Sequence, residues 1–188
     1  MCDPCDSRCA EAQDLGGADS EPPERLHIEI VHSGGDWRLF EPIAPAIKAV
    51  GRALADAVAL RGPIATAAVA FSSDQHVQAL NRAYRGKDKP TNVLSFPAPR
   101  VTRGGGDTLS FLGDIVLAAE TVAREAAEHG TPPRHHLQHL VVHGLLHLQG
   151  YDHECAEDAE KMEAVEVKVL ARLGIANPYA EPAAPAAD

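Results

Sequence analysis

From Leu26 to Val31 the chain alternates Leu, Ile and Ile with His and Glu, the period-two pattern of a half-buried strand. After Pro42 the period changes. Ile43, Ile47, Val50, Leu54 and Val58 fall at helical spacing, predicting a helix over 43–60 that Gly62-Pro63 stops. Ile64 to Phe71 is a short apolar run suited to a buried strand, and Ser73 can cap a helix through Tyr84 with Val77, Leu80 and Tyr84 on one face. Lys89-Pro90 breaks the chain before a strand over 92–96. A loop with Pro97, Pro99 and Gly104 to Gly106 separates it from a strand over 109–117, which leads into a helix ending at His129-Gly130. Thr131 is then an N-cap, with Pro132 at the first helical position, where its missing N–H costs nothing. This helix runs to Gln149, and Gly150 suits the left-handed turn that closes it. A final helix covers about 156–173 and stops at Gly174. The pattern predicts a single α/β (α+β) domain, a small mixed four-stranded sheet packed with about five helices.

The ends of the chain break this pattern. Residues 1–24 show no apolar period and close on Glu21-Pro22-Pro23-Glu24, and residues 177–188 are Pro-broken and biased in composition. Both are read as disordered tails around one domain at 25–176, in keeping with roughly 100–200 residues per domain for a chain of 188. With 45% hydrophobic and 23% charged residues, the composition is that of a globular protein and excludes collagen, coiled coil and general disorder. No apolar run is long enough for a membrane span, and Met1 to Ala10 lacks the apolar segment of a secretion signal. A soluble, cytoplasmic protein with no membrane partner is expected. Cys2, Cys5, Cys9 and Cys155 are too few and too uneven for a disulfide framework. The first three could hold zinc or an iron–sulfur cluster, yet nothing around them could pack against one, and they are read as incidental thiols of a tail.

The net charge of −10 argues against a polyanionic partner only until it is divided. The N-terminal 25 residues carry −5 and residues 177–188 carry −2, leaving −3 on the rest, where Arg82 to Arg103 holds six Lys/Arg against one Asp. A local patch sets the field that a ligand meets, so nucleic acid stays open as a partner.

Chemistry concentrates in His143-Gly144-Leu145-Leu146-His147-Leu148-Gln149-Gly150-Tyr151-Asp152-His153. His143 and His147 are one helical turn apart on the same face, and Gly150 lets the chain reverse so that His153 returns toward them. Three imidazoles around one ion leave a fourth tetrahedral position open, the arrangement of a catalytic zinc site. His135 and His139 continue the same stripe. His139 and His147 lie roughly 12 Å apart along the axis, at about 1.5 Å per residue, and cannot share an ion. His143, His147 and His153 are therefore the metal set, with His139 as a neighbour behind them. The spacing matches the zinc-peptidase signature H-E-x-x-H-x-x-G-x-x-H except that Gly144 replaces the glutamate general base, which disfavours a peptidase.

The basic segment Leu80 to Pro97 supplies what a phosphate substrate requires. An arginine there could clamp a phosphate in two-point fashion, and Lys87 and Lys89 could steer a polyanion backbone. These two segments, together with Leu112-Gly113-Asp114-Ile115-Val116-Leu117, resemble the YbeY family of bacterial endoribonucleases over about residues 26–173.

That resemblance implies a single α/β domain holding Zn2+, one ion per chain, on His143, His147 and His153, with Arg85 of the N-x-x-Y-R segment as the functional arginine. It implies single-strand-specific, metal-dependent cleavage of RNA in the maturation of the small-subunit rRNA 3′ end, and a part in ribosome quality control. It also implies small ribosomal subunit proteins and a ribosome-assembly GTPase as partners. Arg82, Lys87 and Lys89 are candidates for RNA contact, and Asp114, His139 and Asp152 for orienting the imidazoles. Two alternatives stay open: a zinc hydrolase of another substrate class, and a non-catalytic ribosome-assembly factor with a structural zinc. Cys155 could close the metal site as a fourth ligand, but is expected to face away at the start of the last helix. The family's common T-D-V-L-S-F strand has Asn92 in place of its aspartate, and the attacking group, water or the RNA 2′-hydroxyl, stays undecided.

Overall fold

A computed structural model describes residues 24–60, 62–99 and 109–180. The expected tails, apart from Glu24 and residues 177–180, and the Gly104 to Gly106 run lie outside the described residues. The chain forms strand β1 (Leu26–His32), helix α1 (Ile43–Ala57), strand β2 (Ile64–Ser72), helix α2 (Asp74–Arg85), strands β3 (Val93–Pro97) and β4 (Leu109–Ala118), and helices α3 (Ala119–Glu128), α4 (Pro133–Gln149) and α5 (Ala156–Arg172). One turn of 3-10 helix at Arg38–Phe40 precedes α1. The described residues thus hold the expected mixed sheet of four strands with five α-helices.

The sheet order is β1-β2-β4-β3, with β1, β2 and β4 parallel and β3 antiparallel to β4. A register shift after Thr66 leaves Leu112 as an extra residue on β4. Gly113 follows it at φ 135°, and a Cβ there would sit 2.2 Å from the Phe96 carbonyl oxygen, so only glycine lets β3 lie this close.

Alternation along the strands divides the packing. Ala65, Ala67, Val69 and Phe71 of β2 and Ile115 and Leu117 of β4 join the main core with α1 and α4. Val116 and Ala118 turn to the other face, where Val77 of α2 and Leu94 of β3 cover them. α5 packs outside α1 and α4, so α4 is enclosed almost all round. A helix apolar on every side is the mark of that position, and α4 buries residues on both flanks from His136 to Leu148.

Capping explains both ends of α2. Ser73 accepts the His76 N–H at the start of α2, and Gly86 closes α2 in the left-handed region at φ 68°. Asp74 reaches across to accept both the backbone N–H and the hydroxyl of Thr121, which caps α3 from outside. Among the boundaries that differ from the periodicity, three have a local cause. α1 ends at Ala57 because Val58 turns extended, and Leu60 is buried beyond it. α4 has Pro132 as N-cap and Pro133 first, one residue later than expected, because a residue before proline is held out of helical conformation. β3 begins after Asn92, whose own Oδ1 accepts the Val93 N–H.

Candidate metal centre

α4 ends beside β3, and the cluster lies at that end. His143 and His147 stand one turn apart. Gly150, at φ 95°, reverses the chain so that the Tyr151 N–H closes on the Leu146 carbonyl at 3.0 Å. The reversal brings His153 back, and the ligand atoms of His143, His147 and His153 all lie within 4.8 Å of one another.

The protonation of the two helical histidines follows from their far nitrogens. His147 Nδ1 faces the Tyr151 carbonyl at 3.1 Å, and His143 Nδ1 faces Glu166 Oε1 at 2.7 Å. In a neutral ring each acceptor favours the proton on Nδ1, which makes Nε2 the lone-pair nitrogen. The two Nε2 atoms are 3.1 Å apart, so with both Nδ1 atoms carrying the ring proton their lone pairs would repel unless a cation sat near both. Nitrogens arranged tetrahedrally at about 2.0–2.1 Å from zinc would be about 3.3 Å apart, so the donor set fits that ion. Burial keeps His147 below its ordinary imidazole pKa, and the neighbouring His143 and His153 lower it further.

Glu166 was not among the residues expected from sequence. It is fully buried on α5, and its other oxygen, Oε2, meets His139 Nε2 at 3.3 Å and accepts the Tyr179 hydroxyl. Burial by itself would raise this carboxyl. Hydrogen bonds from His139, His143 and Tyr179 outweigh it and hold the pKa at about 2. A signal was present: a glutamate stands in the stripe Met162, Glu166, Val169, Leu170, where every other member is apolar core.

The histidines open into a cleft of about 550 Å³ walled by β3 residues, together with Asn92 just before the strand, and by Asp152 and Glu154. Arg85, the last residue of α2, lines the same cleft, and its guanidinium makes no ion pair or hydrogen bond among the described residues.

The model of the family described as "Endoribonuclease YbeY" matches residues 41–174. The chain belongs to the YbeY endoribonuclease family. Relatives carrying that name include one from Rhodopseudomonas palustris, 48% identical over 83% of this chain and 82% of its own. One from Sinorhizobium medicae is 46% identical over 83% of this chain and 96% of its own. One from Methylocella silvestris is 47% identical over 86% and 90%. The solution structure of TM1509 from Thermotoga maritima is 24% identical, covers 82% of this chain and 99% of its own, and aligns with a TM-score of 0.49.

Within this YbeY chain the remaining expected residues separate. His139 lies behind the cluster, sharing Glu166 with His143. Asp152 lines the cleft, its Oδ1 accepts the backbone N–H of His153 at 2.7 Å, and its negative charge acts on the His147 ring. Asp114 is a correction. It is exposed on β4 opposite Phe96 and alternates with Ile115, so it shares the sheet face of Val116 and turns away from α4. Glu166 occupies the role expected of it.

Arg82 is also displaced from the cluster. It lines a separate groove on α2 and lies 3.8 Å from Asp88. Lys87 and Lys89 are exposed beyond Gly86 and are not among the residues lining the histidine cleft. Asn81, the first residue of the N-x-x-Y-R segment, is buried and donates to the Lys89 carbonyl at 2.8 Å, tying down the loop that follows Arg85.

Three further positions explain departures and alternatives. Asn92 donates to Glu125 Oε2 at 3.0 Å, the oxygen that also meets His136 Nε2 at 3.0 Å. The amide found where the family commonly has aspartate is therefore matched to a carboxylate. Cys155 is exposed, and its thiol donates to Asp158 at the start of α5. Gly144 turns into the sheet: a Cβ there would lie 2.9 Å from Ile115 Cδ1, so the glutamate of a zinc peptidase has no room.

Proposed function

We propose that this chain is a zinc-dependent, single-strand-specific endoribonuclease that matures the 3′ end of small-subunit rRNA. The observation that carries the reading is the convergence of three imidazoles, two with Nε2 atoms 3.1 Å apart, on the cleft that also holds Arg85. The family name of the relatives supplies the substrate class.

His143, His147 and His153 would hold the ion, and Glu166 would keep His143 in the tautomer that binds it. Zinc held there would supply Lewis-acid polarisation of a phosphate oxygen and acidify water. Arg85 would take the scissile phosphate on its fork of N–H donors and offset the charge that grows on it. The cleft wall carries Asp152 and Glu154 besides Arg85, so backbone affinity there depends on the guanidinium and the ion and not on a broadly basic surface. Lys87 and Lys89 act, in this reading, on RNA outside the cleft.

The working domain is residues 25–176, with residues 177–180 packed against it through Tyr179, and the site of action is the cytoplasm. Among the described residues no helix is long and apolar enough to cross a membrane. Small ribosomal subunit proteins, a ribosome-assembly GTPase and a part in ribosome quality control belong to the same proposal, on the family resemblance.

The test is zinc content and RNA cleavage on one preparation of wild type, His147→Ala and Arg85→Ala, with single-stranded RNA carrying the small-subunit rRNA 3′ region. The expected result is about one zinc and cleavage for wild type, zinc without cleavage for Arg85→Ala, and neither for His147→Ala. Zinc binding with no cleavage by any of them would overturn the nuclease reading in favour of an assembly factor. A 2′,3′-cyclic phosphate after a single cut would make the 2′-hydroxyl the nucleophile.

A further inference from the structure

The buried carboxylate of Glu166 has its two oxygens held differently. Among the described residues Oε1 meets only His143 Nδ1, at 2.7 Å, whereas Oε2 is shared by His139 and the Tyr179 hydroxyl. A carboxylate that can turn about its last bond would leave Oε1 free to drift from His143. Two donors on Oε2 prevent that turn, and only one of them, Tyr179, lies outside α4.

Tyr179 comes from a segment that periodicity assigns to the C-terminal tail, and it follows the last residue matched by the family model, Gly174. The segment is nonetheless built. Gly174 reverses the chain at φ 70°, and the Ile175 N–H closes on the Leu170 carbonyl at 3.0 Å with Ile175 buried. Asn177 Oδ1 then accepts the Tyr179 N–H at 2.9 Å. The Tyr179 ring stands edge-on to His139, with centroids 6.0 Å apart, and its hydroxyl points inward to Glu166. Tyr179 is 44% exposed although its hydroxyl meets a fully buried carboxylate, so the segment straps across α4 and α5 from outside.

We infer that Tyr179 is a positioning residue of the metal centre, acting through Glu166 to hold His143 in the tautomer whose Nε2 faces the cluster. The chain of contact is Tyr179 hydroxyl, Glu166 carboxylate, His143 Nδ1. Tyr179 itself lines a different cavity, behind α4, and is not part of the histidine cleft. The inference rests on the metal reading above for its consequence, and on the hydrogen-bond chain alone for its geometry.

Removing an outer partner of a metal ligand typically costs about 10–100-fold in affinity. Tyr179 is one step further out, and His139 stays on Oε2. Tyr179→Phe, which keeps the ring against His139, should therefore weaken zinc by about 3–10-fold.

The experiment uses the full chain, wild type and Tyr179→Phe, in two measurements. Competition with a chromogenic chelator gives zinc affinity. Nitrogen NMR of the metal-free protein gives the His143 tautomer, a readout that ring packing alone would not move. The expected result is a weaker zinc complex and a His143 proton no longer confined to Nδ1, with the thermal midpoint of the metal-free protein within a few degrees of wild type. Wild type and Tyr179→Phe that bind zinc within twofold of each other, with identical His143 signals, would overturn the assignment and leave the metal centre standing. A wild-type chain that binds no zinc would overturn the metal reading and this inference with it.

Discussion

A Cβ placed on Gly144 would lie 2.9 Å from Ile115 Cδ1 and 3.2 Å from both Cγ1 and Cγ2, where relaxed carbon contacts are about 3.5–4.0 Å. Gly144→Ala therefore sets two effects against each other. Alanine is favoured over glycine inside a helix by roughly 0.8–1.0 kcal/mol, and overpacking a core costs about 1–3 kcal/mol. Ile115 is fully buried on β4, and Cγ2 is a fixed branch that cannot swing aside as Cδ1 can. The steric effect should win by about 1 kcal/mol, a fall of about 2–4 °C in thermal midpoint for a domain of this size. Gly144→Glu would add an unpaired carboxylate pressed against isoleucine and should lose several kcal/mol, without peptidase activity. Urea denaturation of Gly144→Ala, Ile115→Val and the double variant isolates the contact. Ile115→Val, which alone should cost about 0.5–1.5 kcal/mol, should cost less in the Gly144→Ala background, by a coupling of about 0.5 kcal/mol or more. A Gly144→Ala protein as stable as wild type and strictly additive with Ile115→Val would refute the packing argument. A natively stable Gly144→Glu would refute the exclusion of the peptidase base.

Two further outcomes follow from the carboxylates of Glu166 and Glu125. Glu166→Gln keeps the shape but removes the charge, and its amide nitrogen cannot accept the Tyr179 hydroxyl; zinc affinity by chelator competition should fall about 10–100-fold, and an unchanged affinity would remove Glu166 from the centre. Asn92→Asp would set a second carboxylate where Asn92 now lies 3.0 Å from Glu125 Oε2, costing about 1–3 kcal/mol at pH 7. One carboxyl of that pair would have its folded pKa raised, so the folded protein would bind more protons than the unfolded chain, and the deficit against wild type should shrink as pH falls from 7 to 5. A deficit in urea midpoint that stays constant or grows over that range would contradict the pairing.

Local pattern alone determined the order of strands and helices, because alternation and the helical period report burial one element at a time. It also brought the three histidines together: His143 and His147 share a face by helical geometry, and a left-handed Gly150 is the local device that returns His153. The capping of α2 by Ser73 was legible for the same reason. Residues that work across elements were not. Arg85 shares a cleft with the histidines once α2 and the end of α4 are placed on either side of β3, while Arg82, one turn earlier on α2, lines another groove. Asp114 sits in a motif near the site in sequence terms, yet strand alternation turns it to the opposite face and gives its place to Glu166 from a distant helix. Gly144 read as a missing base is, in three dimensions, the close approach of α4 to Ile115. Tyr179 read as tail because a short Pro-containing segment carries no period, and its contact with Glu166 exists only once α4 and α5 are packed. Spacing along the chain specifies which side chains can meet within one element. Packing between elements decides which of them share a buried charge.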